Sequence, residues 1–272
     1  MPPYDGKTRS GGAQYARRIV ADVYTTDGGL RVMRRETVTE AAPGGTATID
    51  LPLDEGTYDV RLWSDYVTVD GGQSPFYDAS DLQQVTVNTS PYTACTDCKD
   101  AAYAYVGGVT VGGGTTEKAV TLERPLAKYR IVTKDTDRYK ELGGVPPLEG
   151  LTVGVSYEGY FPSSFNVTTG KPNDAVEGVS YTCTPQWQAD EEGNTMLADD
   201  WVLVNGAASS VRLTITITSD DGTVVARTQG VSVPYRRGRL TTVSGNFLTS
   251  GYGGGGVDID TGWDDDTFEV EF

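Results

Sequence analysis

Apolar residues recur at every second position in short runs along most of the chain. Ala47, Ile49 and Leu51 share one face of residues 46–51, and Tyr58, Val60 and Leu62 share one face of residues 57–63. The clearest run sets Val211, Leu213, Ile215 and Ile217 against Arg212, Thr214 and Thr216. A period of two places successive side chains on opposite sides of a strand, so these runs predict half-buried strands. Turn residues separate them: Asp27-Gly28-Gly29, Asp54-Glu55-Gly56, Gly112 to Gly114 and Asp220-Asp221-Gly222. Such clusters supply the left-handed backbone that tight turns need. Residues 18–24 and 30–38 read as one hairpin, 109–111 and 118–123 as a second, and 211–217 and 223–233 as a third. Further strands are predicted at 128–133, 151–157, 176–184, 200–205 and 240–248. Only residues 78–87 and 96–105 read as helical, and both are short.

Many short strands, regular turns and almost no helix predict an all-β protein built from β-sandwiches. At 272 residues the chain suits two such domains. Pro125 disfavours helix in its predecessor and marks a boundary. The expected organisation is a polar lead-in over 1–12, one sandwich over 13–126 and a second over 127–272. No short fixed period appears, which argues against a propeller or solenoid.

Composition narrows the function. The formal net charge of −16 would repel nucleic acid and anionic lipid. The sequence contains no histidine, which removes Ser-His-Asp and Cys-His catalysis and any histidine-bearing zinc site. Acidic residues are plentiful, yet no carboxylate pair stands out as a glycosidase centre. The cluster Asp258, Asp260, Asp264, Asp265 and Asp266 lacks the spacing of an EF-hand and reads as solubilising charge. The expectation is therefore no enzyme, no cofactor and no metal. No run of apolar residues is long enough for a transmembrane helix. Met1-Pro2-Pro3-Tyr4 reads as the start of a trimmed mature region rather than of a leader.

The three cysteines are Cys95, Cys98 and Cys183. Cys95 and Cys98 form a C-x-x-C with no second half for zinc and no thioredoxin-like context. A local Cys95–Cys98 disulfide or plain thiols are expected, with Cys183 a strand residue. Exposed tryptophans stack on sugars, so Trp63, Trp187, Trp201 and Trp263 keep a carbohydrate-binding surface lipoprotein open as an alternative, although tryptophans in strands are commonly core residues.

Four ordered motifs carry a resemblance. Val233-Pro234-Tyr235-Arg236-Arg237 precedes Leu240-Thr241-Thr242-Val243-Ser244-Gly245-Asn246-Phe247-Leu248-Thr249. Leu62-Trp63-Ser64-Asp65-Tyr66, Thr96-Asp97-Cys98-Lys99-Asp100-Ala101 and Leu122-Glu123-Arg124-Pro125-Leu126-Ala127-Lys128-Tyr129 complete the set. Together they resemble a poorly characterised family within the Bacteroidetes fimbrillin superfamily. The chain departs from that pattern at Cys95 and Cys98, and at Gly238, where the family has Asn. The resemblance implies two transthyretin-like sandwiches joined near Pro125 and Lys128. It also implies export as a lipoprotein to the outer-membrane surface, with the lipid-bearing cysteine upstream. It further implies a place in a pilus as shaft, tip or anchor, with other pilus subunits as partners, and a host or microbial surface ligand is compatible with that role. In such subunits proteolysis removes an N-terminal strand, and a neighbour's strand fills the groove.

The C-terminal segment suits a donor strand. Gly253, Gly254, Gly255 and Gly256 form a hinge, and Val257, Ile259, Phe268, Val270 and Phe272 follow as spaced apolar residues. Ordinary pairing of these strands within the second domain is the competing reading. For processing, Arg34 and Arg35 fall in a predicted strand. Arg17 and Arg18 are alternatives, but Arg18 leaves no lead-in before Ile19. Arg9 lies in the small, polar context Lys7-Thr8-Arg9-Ser10-Gly11-Gly12, which suits a protease. A trypsin-like protease is thus expected to trim the chain after Arg9, as N-terminal sequencing of the product would establish.

Overall fold

The computed structural model of the chain describes residues 15–27, 29–39 and 45–250. Fifteen strands dominate it. In order they are β1 (Tyr15–Thr25), β2 (Arg31–Thr39), β3 (Gly56–Thr68), β4 (Tyr77–Asp78), β5 (Val85–Val87), β6 (Ala102–Val111), β7 (Leu126–Thr133), β8 (Leu151–Glu158), β9 (Phe161–Asn166), β10 (Lys171–Val176), β11 (Ser180–Cys183), β12 (Thr195–Leu203), β13 (Ala208–Ser219), β14 (Val224–Arg236) and β15 (Leu240–Gly245). One short helix, α1 (Thr136–Glu141), follows β7.

The strands form four sheets, ordered β2-β1-β3-β6, β10-β9-β5-β4, β11-β8-β13-β14 and β12-β7-β15. The predicted all-β class is therefore realised. Alternation works as expected in β8 and β13. Leu151, Val153 and Val155 of β8 and Leu213, Ile215 and Ile217 of β13 are buried, and Ile215 pairs with Val155 across the ladder. These residues face the fourth sheet, whose Tyr129 hydroxyl meets those of Tyr157 and Tyr181 at 2.8 Å each.

The second sheet draws β4 and β5 from before residue 126 and β9 and β10 from after it. Val85 pairs with Phe165 and Thr86 with Ser164. The β9–β10 hairpin thus reaches back and covers one face of the first sheet. Trp63 of β3 lies edge-on to Tyr77 at 5.4 Å and tilted against Phe165 at 6.1 Å, while Tyr103 meets Phe165 at 4.7 Å. Arg237 holds the hairpin turn, donating to the Gly170 carbonyl at 2.7 Å and to the Tyr103 hydroxyl at 2.8 Å. Gly170 has φ +66°, and a Cβ there would lie 2.7 Å from that hydroxyl, so glycine is required twice over.

The last strand changes sheets. After β14 the chain turns at Gly238, whose N–H donates to the Leu126 carbonyl at 2.8 Å, and β15 then runs parallel to β7. Gly238 has φ +71°. Glycine and asparagine are the residues that enter this left-handed region most readily, which explains why Gly can stand where the resembling family has Asn.

Several expectations need correction. In 78–87, Asp78 ends β4 and 85–87 form β5 with turns between them rather than a helix, and 96–105 hold only a 3-10 turn, Asp97–Lys99, before β6. Short strands pairing with distant β9 override a local helical reading. Residues 109–111 end β6 and do not form a hairpin with 118–123. Strands β9 and β10 were not anticipated, because Pro162, Ser163, Ser164 and Asn173 blur their alternation.

The expected Cys95–Cys98 pairing is also replaced. Cys95 bonds to Cys183, 88 residues away, and Cys98 is a buried thiol. Cys98 lies within the 3-10 turn, where its N–H is capped by the Thr96 hydroxyl and its side chain packs in the core. Cys95 precedes that turn with φ +57°, which turns it away toward β11.

Reduction of Cys95–Cys183 releases a loop of 88 residues and should lower stability by about 4–5 kcal/mol in denaturant titrations. Cys98→Ala protein should keep that sensitivity to reductant. Phe165→Ala should cost about 3–5 kcal/mol. Because the second sheet joins both halves of the chain, calorimetry should still show one transition rather than two.

Candidate assembly surface

The outer face of the first sheet is built by registered alternation. Ala21 pairs with Leu62, Val23 with Val60 and Leu62 with Ala104, so these side chains emerge together on the face opposite Trp63. Tyr58 joins them, and Met33, Val109 and Val111 pack at the margin. This apolar cluster is separate from the main core, which continues from Val20 and Trp63 through the rest of the molecule.

No complete sheet covers this face among the described residues. Two extended segments lie on it instead, residues 45–54 and 116–122. Burial alternates at every position from 45 to 54, and Leu51, Leu53, Val120 and Leu122 pack on the cluster while remaining partly exposed. Beneath them Tyr58, Val60, Leu62 and Ala104 each keep 8 % of their surface, while Ala21 and Val23 keep none. Neither segment makes a backbone hydrogen bond to another described residue, apart from the bridge between Glu123 and Tyr103 where the second one ends. The Tyr58 hydroxyl donates to the Asp54 carbonyl at 3.0 Å, and that bond holds one end of the first. Each segment is thus strand-like in side-chain placement but has its ladder groups unpaired among the described residues.

The opposite face closes with charge as well as hydrocarbon. Asp65 is fully buried and takes a two-pronged pair from Arg18, at 3.0 and 2.8 Å. Burial nevertheless pushes its carboxyl above the usual range. Asp22 is raised for the same reason, against the pull of Arg34 and Arg31, and Arg34 also donates to the Ala79 carbonyl beside β4.

A second polar centre sits where the chain's halves meet. Lys99 Nζ lies 2.7 Å from Asp200 Oδ1 and donates to the Tyr92 hydroxyl at 2.5 Å. Tyr92 and Tyr157 both donate to Asp200 Oδ2, at 2.5 and 2.6 Å. Lys99 and Asp200 are both buried. Burial lowers the Lys99 ammonium below its ordinary value despite Asp200, and it raises Tyr92 and Tyr157 well above theirs. Beside it, Lys128 pairs with Asp97 at 2.5 Å and Asp199 at 3.0 Å.

The residues singled out in the sequence are distributed as follows. Arg17 and Arg18 lie inside β1, buried and paired on both sides, and Arg34 and Arg35 lie in the edge strand β2. Arg9, the hinge Gly253 to Gly256, the donor residues Val257, Ile259, Phe268, Val270 and Phe272, Trp263 and the aspartates from Asp258 to Asp266 fall outside the described residues. Trp63 and Trp201 are buried, and Trp187 packs against the core, so none of the three is an open sugar platform. Among the described residues no group of three or more His, Cys, Asp or Glu could hold a metal, and no helix is long and apolar enough to cross a membrane. Lys99 was visible inside the Thr96-to-Ala101 motif. Asp200 gave no signal beyond the start of a predicted strand. The strand-like nature of 46–51 and 118–123 was legible, but the absence of ladder partners was not.

No curated protein matches the chain. Its fold is similar to several solved structures at low identity. A putative polysaccharide-binding protein from Bacteroides thetaiotaomicron is 13% identical, with a TM-score of 0.49, covering 79% of this chain and 72% of that one. A putative adhesin from the same organism is 14% identical, with a TM-score of 0.46 and the same two coverages. The tip fimbrial protein Mfa3 from Porphyromonas gingivalis is 12% identical, with a TM-score of 0.44, covering 86% of this chain and 90% of that one. A family model matches residues 1–271, nearly the whole length, and the chain therefore belongs to the family of unknown function DUF6562.

Proposed function

We propose that this protein is a non-enzymatic structural subunit of a cell-surface pilus, joined to its neighbours by strand complementation. The observation that carries the reading is the half-covered face of the first sheet. Residues 45–54 and 116–122 lie extended on it with ladder groups unpaired among the described residues, above a cluster that retains exposure. An incoming strand would satisfy those groups through its main chain and fill the cluster with alternate side chains. The segment from Val257 to Phe272 has a suitable sequence, since Val257 and Ile259 alternate with Asp258 and Asp260, and Phe268, Val270 and Phe272 with Glu269 and Glu271. The motifs shared with fimbrillin-like sequences support the same reading.

The Cys95–Cys183 disulfide supports a location outside the cytosol, because such bonds persist in oxidising compartments. Attachment to the outer membrane through a lipid upstream of the present sequence completes the proposed setting.

The test uses the chain trimmed after Arg9. It should form oligomers resolved by size-exclusion chromatography, and a free peptide of residues 257–272 should cap them and shorten the distribution. Leu53→Asp and Val120→Asp place charge on the partly exposed covering segments and should abolish oligomers while the monomer stays folded by circular dichroism. A trimmed chain that remains monomeric at all concentrations, and ignores the peptide, removes the shaft role and favours a capping or anchoring subunit.

A further inference from the structure

The Lys99–Asp200 contact has a geometry that an ordinary ion pair does not need. Both side chains are buried, at 2 and 0 % exposure, and phenols surround them. Each carboxylate oxygen has its own partners. Oδ1 accepts from the Trp201 backbone N–H at 2.8 Å as well as from Lys99. Oδ2 accepts from Tyr92 and Tyr157, and Tyr92 alone touches both the nitrogen and Oδ2. The Lys99 backbone is fixed in turn, because the Tyr77 hydroxyl donates to its carbonyl at 2.6 Å.

We propose that Lys99 Nζ and Asp200 Cγ condense to an intramolecular amide, a covalent tie between the segment before β6 and strand β12. Tyr92, which touches both groups, relays one ammonium proton to Oδ2 and leaves the amine neutral. The lowered basicity of Lys99 agrees with that, and a desolvated lysine is a competent nucleophile. The nitrogen lone pair attacks Cγ, and the Trp201 N–H supports the charge that develops on Oδ1. Tyr92 then accepts a second proton from the nitrogen and passes its own to Oδ2. Oδ2, now bearing both relayed protons, leaves as water when the Cγ–Oδ2 bond breaks. The products are one amide, whose carbonyl oxygen is Oδ1, and one water molecule. No oxidant or co-reactant is consumed. Fixed placement of the two groups supplies the advantage, since well-oriented intramolecular partners reach effective molarities of about 10⁵–10⁸ M.

This inference is independent of the assembly reading. It is tested by mass spectrometry of the intact chain, denatured and fully reduced. The expected mass lies one water molecule below that of the sequence. After trypsin digestion, the peptide carrying Lys99 should be joined to the one carrying Asp200, with no cleavage after Lys99. Lys99→Arg should restore the full mass, which separates the amide from water loss at the Asp-Gly turns. Tyr92→Phe should retain the water in most molecules, and complete condensation in that variant would overturn the relay. A wild-type chain at full sequence mass, cut freely after Lys99, overturns the proposal whether or not either variant folds.

Discussion

The first sheet has apolar side chains on both of its faces, and a sheet of that kind must be covered twice. Strand β1 shows the demand most directly, since residues 17–24 are buried without a break. One face is served by β4, β5 and the β9–β10 hairpin, with Trp63, Tyr77 and Phe165 at its centre. Among the described residues the other receives two extended segments. The inequality between the two faces sets both the internal organisation of the molecule and its open surface. Hydrophobic burial scales with area removed from water, at about 25 cal/mol per Å². Among the described residues, Tyr58, Val60, Leu62 and Ala104 of the second face are not wholly removed from water.

Coverage of the packed face has a structural cost that the molecule meets with polar anchors. Bringing β9 back across residue 126 places the 92–100 segment against β12, where Cys95 N–H donates to the Asp199 carbonyl at 3.0 Å. Lys128 and Arg124 each find a carboxylate there. A buried cation without such a partner would be strongly destabilising, whereas a complete pair fixes one arrangement of the surrounding strands. Arg237 does the same work at the hairpin turn.

Much of this architecture was legible in the chain. Period-two alternation located β8, β13 and the inward residues Ala47, Ile49 and Leu51, because each follows from which side of a pleat a side chain takes. The turns at Asp54-Glu55-Gly56 and Asp220-Asp221-Gly222 also gave accurate breaks between runs. What alternation cannot encode is the identity of a strand's partner. Pairing of β5 with β9 joins Val85 to Phe165, 80 positions further on, and nothing local to either names the other. The same limit explains the cysteines: proximity in sequence suggested Cys95 and Cys98, while the fold brought Cys183 to Cys95. The candidate surface was half visible, as strand-like segments, and the lack of ladder partners among the described residues emerged only from the structure.

The parallel pairing of β15 with β7 has a mechanical consequence. Six residue pairs, from Leu240 with Lys128 to Gly245 with Thr133, tie the two strands in the same direction. Tension that draws the chain beyond β15 one way and the chain before β7 the other slides these strands lengthwise. The ladder is then loaded in shear, and its hydrogen bonds share the force at once instead of opening one after another. An antiparallel last strand pulled from the same end would peel. By crossing between sheets at Gly238, the chain makes β15 a clamp that resists stretching along its own axis.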